Sequence, residues 1–319
     1  DGTKTKIIPN QGTYTISSDG TVTFTPEKQF VGTPDAVTVK RYDKNGTPVT
    51  AKYTVKVEKV TPTSTNAEST GLQGQPQSGK PTFTPGDQAV PIDLDEPMTF
   101  ENGQATKTVQ GVGEYKINSD GTITFTPEKQ FVGTPDPVTV KRVDKNGTEV
   151  TATYKPTVTK VTPTGTGNKT SGLQGQVQTG KVNFTPGHAS VPFPAGSTPL
   201  FDNGTTVKEV PNVGKFEVDA DGNVTFTPNK QFKGETPELE LTRVDANGTP
   251  VTVKYQAVVR EVVPTGTDTS TTGKQGQVQT GTPTFTEGHS AVPMDNDTPA
   301  TFDDGSKRKE VPNVGIFEV

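Results

Sequence analysis

Apolar and polar residues alternate along several short stretches of this chain. In the clearest one, residues 49–57, valine, alanine and tyrosine occupy every second position, and threonine or lysine separates them. Successive side chains of a β-strand point to opposite faces, so this spacing predicts an antiparallel strand with one buried and one solvated face.

The same alternation predicts hairpins in the middle of the chain. Residues 114–118 (EYKIN) and 122–126 (TITFT) would bring Tyr115, Ile117, Ile123 and Phe125 to one face. The intervening NSDG predicts a tight turn with a positive φ angle at its glycine, Gly121. A second turn signal, DKNG at residues 144–147, precedes a long return strand and predicts a left-handed conformation for Gly147.

Proline-containing stretches predict the connections between these hairpins. TPEKQFVGTPD (126–136) predicts a crossing loop, and TFTPG from Thr82 and AVPI from Ala89 predict short strands broken by proline. No stretch combines helical periodicity with caps.

The whole pattern returns with a fixed period. FTPEKQFVGTPD occupies residues 24–35 and again 125–136, so the period is 101 residues, and an edited version starts at Phe226. GLQGQ at 71–75 recurs at 172–176 and as GKQGQ at 273–277. A long fixed period is typical of an array of like modules, and it argues against a single catalytic pocket, which would need a unique set of residues.

Small, polar, proline-containing stretches that begin at Thr61, Thr162 and Val263 predict linkers between the modules. They define a first, partial repeat (1–61), full second (62–162) and third (163–263) repeats, and a fourth, partial repeat (264–319). An alternative frame begins near Asp1 and would pass strands between neighbouring copies. Neither end of the chain coincides with a linker, so we expect a window on a longer protein.

The number of predicted strands indicates the fold class. Some six to eight short strands with turns in each module of about 100 residues predict an all-β fold. We expect a tandem array of immunoglobulin-like β-sandwich modules that forms an elongated rod.

Composition narrows the function classes. Only 27% of residues are apolar, so the core of each module is expected to be modest. The absence of cysteine excludes disulfides and thiolate metal sites. The net charge of −5, the lack of a basic stripe and the absence of tryptophan argue against nucleic-acid binding, and no apolar run approaches the ~18 residues of a membrane span.

The second repeat reads GLQGQ, FTPG and VP, followed by GVGEYKINSDGTITFTPEKQFVGTPDPVTVKRVDKNGTEVTATY. This order and spacing closely resemble the CshA-type fibril repeat of cell-wall-anchored surface adhesins from streptococci and related Gram-positive bacteria. The resemblance covers the whole chain, in two full and two partial copies. It implies a long fibril that carries a non-repetitive adhesive region away from the cell, with no enzyme activity and no catalytic residues.

Histidine and aspartate are the candidate metal ligands. His188 and His289 each stand alone in a loop, where an earlier copy has Asp87, and we interpret them as solvated loop residues and not as ligands or general bases. The acidic turns at Asp43 and Asn118 could offer oxygens to calcium, but calcium needs six to eight of them, and hairpin formation is the favoured interpretation.

Lys–Asn isopeptide cross-links are a further alternative, although the polar surroundings of the candidate residues favour exposed side chains instead. Intact mass would test this alternative, since each such bond loses one ammonia. The candidates are Lys6, Lys28, Lys107, Lys129, Lys208, Lys230 and Lys309, with Asn45, Asn146 and Asn247.

These observations lead to a functional hypothesis. We expect the structural stalk of a bacterial surface adhesin, which projects an adhesive tip from the cell wall, and not an enzyme. We assign it no catalytic, cofactor-binding or metal-binding residues and no cofactor. The alternative is that the repeats bind host or microbial surface molecules themselves, with avidity from many copies. The expected partners are neighbouring repeats, with no nucleic acid and no membrane insertion. The expected location is extracellular, anchored to the cell wall through a region outside this chain.

Overall fold

The computed structural model of the chain describes residues 2–319. These form two compact units that divide between Thr162 and Pro163. The described residues contain strands, turns and loops and no helix, which confirms the predicted all-β class.

The first unit contains fifteen strands. They are β1 (Thr5–Ile8), β2 (Gly12–Ile16), β3 (Val22–Pro26), β4 (Val37–Tyr42), β5 (Pro48–Tyr53), β6 (Thr63–Thr65), β7 (Ala67–Leu72), β8 (Gln77–Gly79), β9 (Thr82–Thr84), β10 (Thr99–Phe100), β11 (Thr106–Val109), β12 (Gly113–Ile117), β13 (Ile123–Pro127), β14 (Val138–Val143) and β15 (Glu149–Thr159).

The second unit, which begins with a complete repeat, also contains fifteen strands. Its strands are β16 (Thr164–Thr166), β17 (Asn168–Leu173), β18 (Gln178–Lys181), β19 (Asn183–Thr185), β20 (Leu200–Phe201), β21 (Val207–Val210), β22 (Gly214–Val218), β23 (Asn223–Pro228), β24 (Gly234–Glu235), β25 (Leu239–Val244), β26 (Pro250–Arg260), β27 (Thr265–Thr267), β28 (Thr284–Thr286), β29 (Arg308–Val311) and β30 (Gly315–Glu318).

The second repeat is a β-sandwich. One sheet has the order β10-β14-β15-β7 and the other β11-β12-β13-β8, and β6 pairs with β9 beside them. A single apolar cluster draws residues from both sheets, among them Phe100, Tyr115, Phe125, Val140 and Tyr154. The third repeat has the equivalent sheets, β20-β25-β26-β17 and β21-β22-β23-β18, around its own cluster. The predicted tandem array of sandwich modules is therefore confirmed.

Alternation explains how each core is filled. β12 and β13 form the predicted hairpin, with Tyr115 opposite Phe125 and Ile117 opposite Ile123. The rings of Tyr115 and Phe125 stack with centroids 4.5 Å apart, and Tyr154 of the facing sheet meets Tyr115 edge-on at 6.2 Å. Aromatic pairs of this kind add to the free energy gained from burying their area.

The turns also agree with the sequence. Gly121 and Gly147 have φ angles of 83° and 85°, as the NSDG and DKNG signals predicted. Residues 128–137 form the expected connection between the sheets, with one isolated bridge from Gly133 to Val158.

The expected linker from Thr61 to Thr70 is wrong as a structural assignment, because this stretch forms β6 and most of β7. Its small polar residues carry no apolar alternation, but its backbone is paired with strands distant in sequence. The AVPI stretch makes only isolated bridges, Asp87 to Val90 and Ile92 to Asp144, where a short strand was expected. The repeat boundaries after residues 61, 162 and 263 stay a prediction.

The partial repeats show what a complete repeat adds. The alternating stretch 49–57 is a strand only as far as Tyr53, and Val49 is 64% exposed. Its equivalent in the second repeat, Val150, is 8% exposed. Residues 2–61 contain no counterparts of β6 to β10, and on the alternating face Tyr53 and Val55 pack against the small apolar cluster of the first repeat while Val49 stays exposed.

Candidate functional site

The first and last long strands of each complete repeat are paired directly with each other. β7 runs parallel to β15 in a register from Ala67 opposite Tyr154 to Leu72 opposite Thr159. In the third repeat β17 and β26 pair in the same way. Because the two strands are parallel, the chain enters this sheet at one end and leaves it at the other.

Hydrogen bonds continue this pairing on the entry side of β7. The Ser64 hydroxyl donates to the carbonyl of Thr151 at 2.5 Å. The Asn66 side-chain oxygen accepts from the backbone N–H of Thr153 at 2.8 Å. The first strand is thus attached to β15 along most of the length of β15.

A buried polar cluster, which we call the glutamine latch, joins these two strands in the second repeat. The side chain of Gln77, 9% exposed, donates from Nε2 to the carbonyl of Thr157 at 3.0 Å. Its Oε1 accepts from the Ser69 hydroxyl at 2.6 Å. The Tyr154 hydroxyl lies 2.6 Å from the same Ser69 oxygen and completes the chain of hydrogen bonds. Buried polar groups that are all satisfied in this way rigidify the contact they form.

A second glutamine extends the latch to the end of β15. Gln73 is 2% exposed, and its backbone N–H donates to the carbonyl of Thr159 at 2.8 Å. Its Oε1 accepts from the backbone N–H of Val161 at 3.2 Å, and its Nε2 donates to the carbonyl of Lys129 at 3.0 Å. Gln73 therefore ties the start, the crossing loop and the end of the repeat together.

The third repeat carries the same latch. Gln178 donates to the carbonyl of Val258 at 3.0 Å and accepts from the Thr170 hydroxyl at 2.8 Å. The Thr170 oxygen lies 2.8 Å from the Tyr255 hydroxyl. Threonine here replaces Ser69, so the latch depends on a hydroxyl and not on one residue type. Burial raises the pKa of Tyr255, while its hydrogen bond to Thr170 acts in the opposite direction.

Two glycines make room for the latch. A Cβ at Gly79 would lie 2.4 Å from the ring of Tyr154, and one at Gly71 would lie 3.0 Å from the carboxamide carbon of Gln77. Neither glycine is in a left-handed conformation. The first glycine of the GLQGQ motif and the glycine at position 79 are thus explained by close packing around buried glutamine, whereas Gly74 has a φ angle of 72° and serves the turn.

The fourth repeat holds the same motif without the partner strand. Its residues 269–274, equivalent to β17, form no strand, and Gln279 is exposed. The Thr271 hydroxyl still donates to Gln279 Oε1, at 3.1 Å. The local bond therefore forms in either setting, whereas burial and strand pairing occur only where the last strand is present.

The two histidines act as turn acceptors on the surface. His188 Nδ1 accepts from the backbone N–H of Ser190 and His289 Nδ1 from that of Ala291, each at 3.1 Å. Asp87 Oδ1 makes the equivalent bond to the N–H of Ala89 at 2.8 Å. The second repeat has aspartate at this position and the third and fourth have histidine, because either side chain can accept a hydrogen bond from the backbone N–H two residues later.

The acidic turns use their oxygens on the backbone. Asp144 is 1% exposed, and its Oδ1 accepts from the N–H groups of Asn146 and Thr148 at 2.9 and 2.8 Å. Asp43 makes the same two bonds in the first repeat, and the one from the Thr47 N–H is the main cause that lowers the pKa of Asp43. Within residues 2–319, no three histidine, cysteine or acidic side chains are grouped so as to hold a metal ion.

The lysines considered for cross-links lie in polar settings. Lys6, Lys28, Lys129 and Lys230 are exposed. Lys107 Nζ pairs with Glu101 at 2.8 Å, Lys309 with Asp303 at 2.6 Å, and Lys208 with Asp202. The hydrogen bond from Lys309 lowers the pKa of Asp303. Asn45 is exposed and Asn146 half-buried, and Asn247 is buried.

Comparison with known families identifies the repeats. The family model described as the surface adhesin CshA repetitive domain matches residues 1–57, 59–158, 160–259 and 261–319. The chain belongs to the CshA repeat family. It is therefore a repeat region of the kind found in surface adhesins, which are located at the extracellular surface, and the resemblance seen in the sequence is confirmed.

Solved structures add a relative from the same family. Repeat domain 13 of the fibrillar adhesin CshA from Streptococcus gordonii is 67% identical, with 22% of this chain and 90% of that domain covered and a TM-score of 0.15. More distant matches are the I9–I11 tandem of titin (14% identity, 71% and 75% covered, TM-score 0.28) and mouse cadherin-23 EC22–24 (15%, 80% and 83%, 0.29). A comparison with curated protein sequences found no match. Residues 2–319 include no helix long and apolar enough to cross a membrane.

Proposed function

We propose that this CshA repeat region is a load-bearing stalk, with a structural and not an enzymatic role, which holds an adhesive region away from the cell. One observation carries the proposal: the first and last long strands of each complete repeat are parallel neighbours in one sheet. Tension on a stalk acts on the two ends of every repeat, and here both ends lead into that pair.

The geometry of the pair supports resistance to tension. When the ends of parallel neighbouring strands are pulled apart, the strands must slide past each other along their length. All the hydrogen bonds between them are then loaded together and cannot open one by one. In the second repeat these include the β7–β15 bonds and the side-chain bonds of Gln73 and Gln77. Forced unfolding is governed by the unfolding rate, so bonds that must break together prolong the life of a repeat under load.

Force spectroscopy on the full chain tests the proposal. We expect two high-force unfolding events, one for each complete repeat. Each should release roughly 30–35 nm of chain, from ~3.3–3.6 Å per extended residue. Gln77→Ala should lower the force of one event and Gln178→Ala that of the other, whereas Gln279→Ala, in the fourth repeat, should change neither. Unfolding of the complete repeats at forces no higher than those of the partial ones would refute a load-bearing role.

Binding experiments separate the stalk from the alternative function. The immobilised chain is expected to show no saturable binding to host proteins or to whole microbial cells. Saturable binding by the chain would instead support repeats that act as ligand-binding modules. As part of the proposal, the chain is attached to the cell wall through a region outside these residues, and its immediate partners are neighbouring repeats.

We also propose 62–162 and 163–263 as the physical units of this stalk. Each range contains a complete core cluster and its own paired first and last strands. Residues 62–162 expressed alone should unfold cooperatively. A fragment of equal length in the other frame, 102–202, would separate β7 from β15 and should not. Cooperative folding of 102–202 alone would show that the frame is wrong.

A further inference from the structure

Two glycines at equivalent positions, Gly86 and Gly288, lie against the backbone of Thr61 and Val263, which precede β6 and β27 and end the first and third repeats in the frame proposed above. A Cβ at Gly86 would meet the O, C and N atoms of Thr61 at 2.4, 2.6 and 2.7 Å. A Cβ at Gly288 would meet the same atoms of Val263 at 2.3, 2.5 and 2.8 Å. Both glycines have φ angles outside the left-handed region, so their conformation does not require glycine. The close approach of the preceding backbone does.

Glutamine side chains also bridge these junctions. Inside the first unit, Gln29 Nε2 of the first repeat donates to the backbone carbonyl of Asn146 in the second. Inside the second unit, Gln176 Nε2 of the third repeat donates to the carbonyl of Ala291 in the fourth, at 2.9 Å. In both, a loop of one repeat reaches a backbone acceptor in a loop of the next. Acceptors of this kind are independent of side-chain identity, which suits a contact between copies that differ in sequence.

Apolar side chains accompany the bridge in the first unit. Phe30, Val57 and Val60 of the first repeat and Val90 of the second line one cleft of about 370 Å³ beside the Gln29 contact. Phe30, Val57, Val60 and Val90 are each half-buried. The junction thus combines backbone packing, a hydrogen bond and apolar contact, which are the components of an ordinary interface.

We propose that these residues form an interaction surface whose partner is the neighbouring repeat of the same unit, and that this surface holds the first repeat at a fixed angle to the second, and the third to the fourth, in place of a free hinge. Steric contact between Gly86 and the backbone of Thr61 prevents the end of the first repeat from bending toward the loop that contains Gly86. The bond from Gln29 opposes bending in the other direction. The inference holds whether the chain serves as a stalk or binds ligands, since it concerns only the junction.

Distance measurement between spin labels in the full chain tests this surface. The chain has no cysteine, so Lys52→Cys and Glu114→Cys provide one label in the first repeat and one in the second. Both positions are exposed. We expect a single narrow distance distribution for this pair. Gly86→Ala should broaden or shift it, because the added methyl group displaces Thr61, and Gln29→Ala should broaden it to a smaller extent.

Gly266→Ala is the matched control. Gly266 also lies outside the left-handed region, but the atoms nearest to a Cβ added there are at 3.8 Å and beyond, so the distribution should not change. A broad distribution in the unsubstituted chain would overturn the proposal, and so would an unchanged one in Gly86→Ala. Gly86→Ala could also unfold the second repeat, which reduced hydrogen-exchange protection of β15 would reveal. In that case Gln29→Ala is the deciding variant. An unchanged distance distribution in Gln29→Ala would then contradict the proposed fixed junction.

Discussion

Replacing Gln77 by alanine tests the glutamine latch most directly. The substitution removes a carboxamide that is 9% exposed and makes two hydrogen bonds, to Ser69 and to the carbonyl of Thr157. The Ser69 hydroxyl keeps its contact with Tyr154, but the half-buried Thr157 carbonyl loses its side-chain donor.

The loss in stability can be worked from these contacts. Each hydrogen bond contributes about 1 kcal/mol net, and a buried group left unpaired adds about 1–3 kcal/mol. The two bonds give about 2 kcal/mol, and the Thr157 carbonyl, which is only partly buried, adds up to about 2 kcal/mol, so the free energy of unfolding of the second repeat should fall by about 2–4 kcal/mol. At the lower end, about 2 kcal/mol corresponds to roughly 30-fold faster exchange of amides that exchange by unfolding of this repeat.

Native-state hydrogen exchange on the full chain measures the free energy of unfolding of each repeat separately. Peptides from β15 should lose protection in Gln77→Ala, and peptides from β26 should not. Gln178→Ala should give the converse result. Gln279→Ala removes the same residue type from the same motif, but Gln279 is exposed, so we expect a change within about 0.5 kcal/mol. Equal effects of Gln77→Ala and Gln279→Ala would refute the reasoning, since burial against the last strand would then be irrelevant.

Substitutions at three further residues follow from the structure. Tyr115 has a buried hydroxyl with no hydrogen-bond partner within residues 2–319, and the third repeat has Phe216 there, so Tyr115→Phe should stabilise the second repeat by about 1 kcal/mol in urea unfolding. Burial raises the pKa of Tyr115 to about 12 from an ordinary value of 10.0. The unfolded chain therefore loses this proton at lower pH than the folded chain, and the stability of the second repeat falls as the pH rises from about 10 to 12. The melting temperature of Tyr115→Phe should fall less over this pH range than that of the unsubstituted chain. Tyr154→Phe, by contrast, breaks the contact with Ser69 and should lower stability by about 1 kcal/mol; a gain in stability would contradict the latch. His188→Asp should keep the hydrogen-exchange protection of its turn, whereas His188→Ala should lose it; equal protection in both would show that the acceptor is unimportant.

The local sequence pattern was sufficient to predict the hairpins and the faces that they bury in the core. The alternation around Tyr115 and Phe125 identified the buried face, and the turn signals placed left-handed glycines at positions 121 and 147, as found. These features depend on residues near one another in sequence, where the two-residue period of a strand and the steric freedom of glycine act directly.

Pairing between distant segments was beyond local pattern. Residues 67–70 were expected in a linker, yet they belong to β7 because β15, more than 80 residues later, supplies backbone partners. The fourth repeat makes the same point, since its equivalent stretch forms no strand without such a partner. Gln77 gave no signal of burial, because glutamine is usually exposed and its bonding groups lie in other strands.

The sequence by itself determined the period, the all-β class, the family and the inward face of each hairpin, since all of these follow from short-range spacing or from repetition. Only the tertiary structure decided that the first and last long strands pair, that buried glutamines join them and that two glycines, Gly86 and Gly288, lie against the backbone of Thr61 and Val263. The physical reason is that these contacts depend on which backbone groups and which side-chain surfaces meet across long separations, and the alternation of polar and apolar residues carries no record of that.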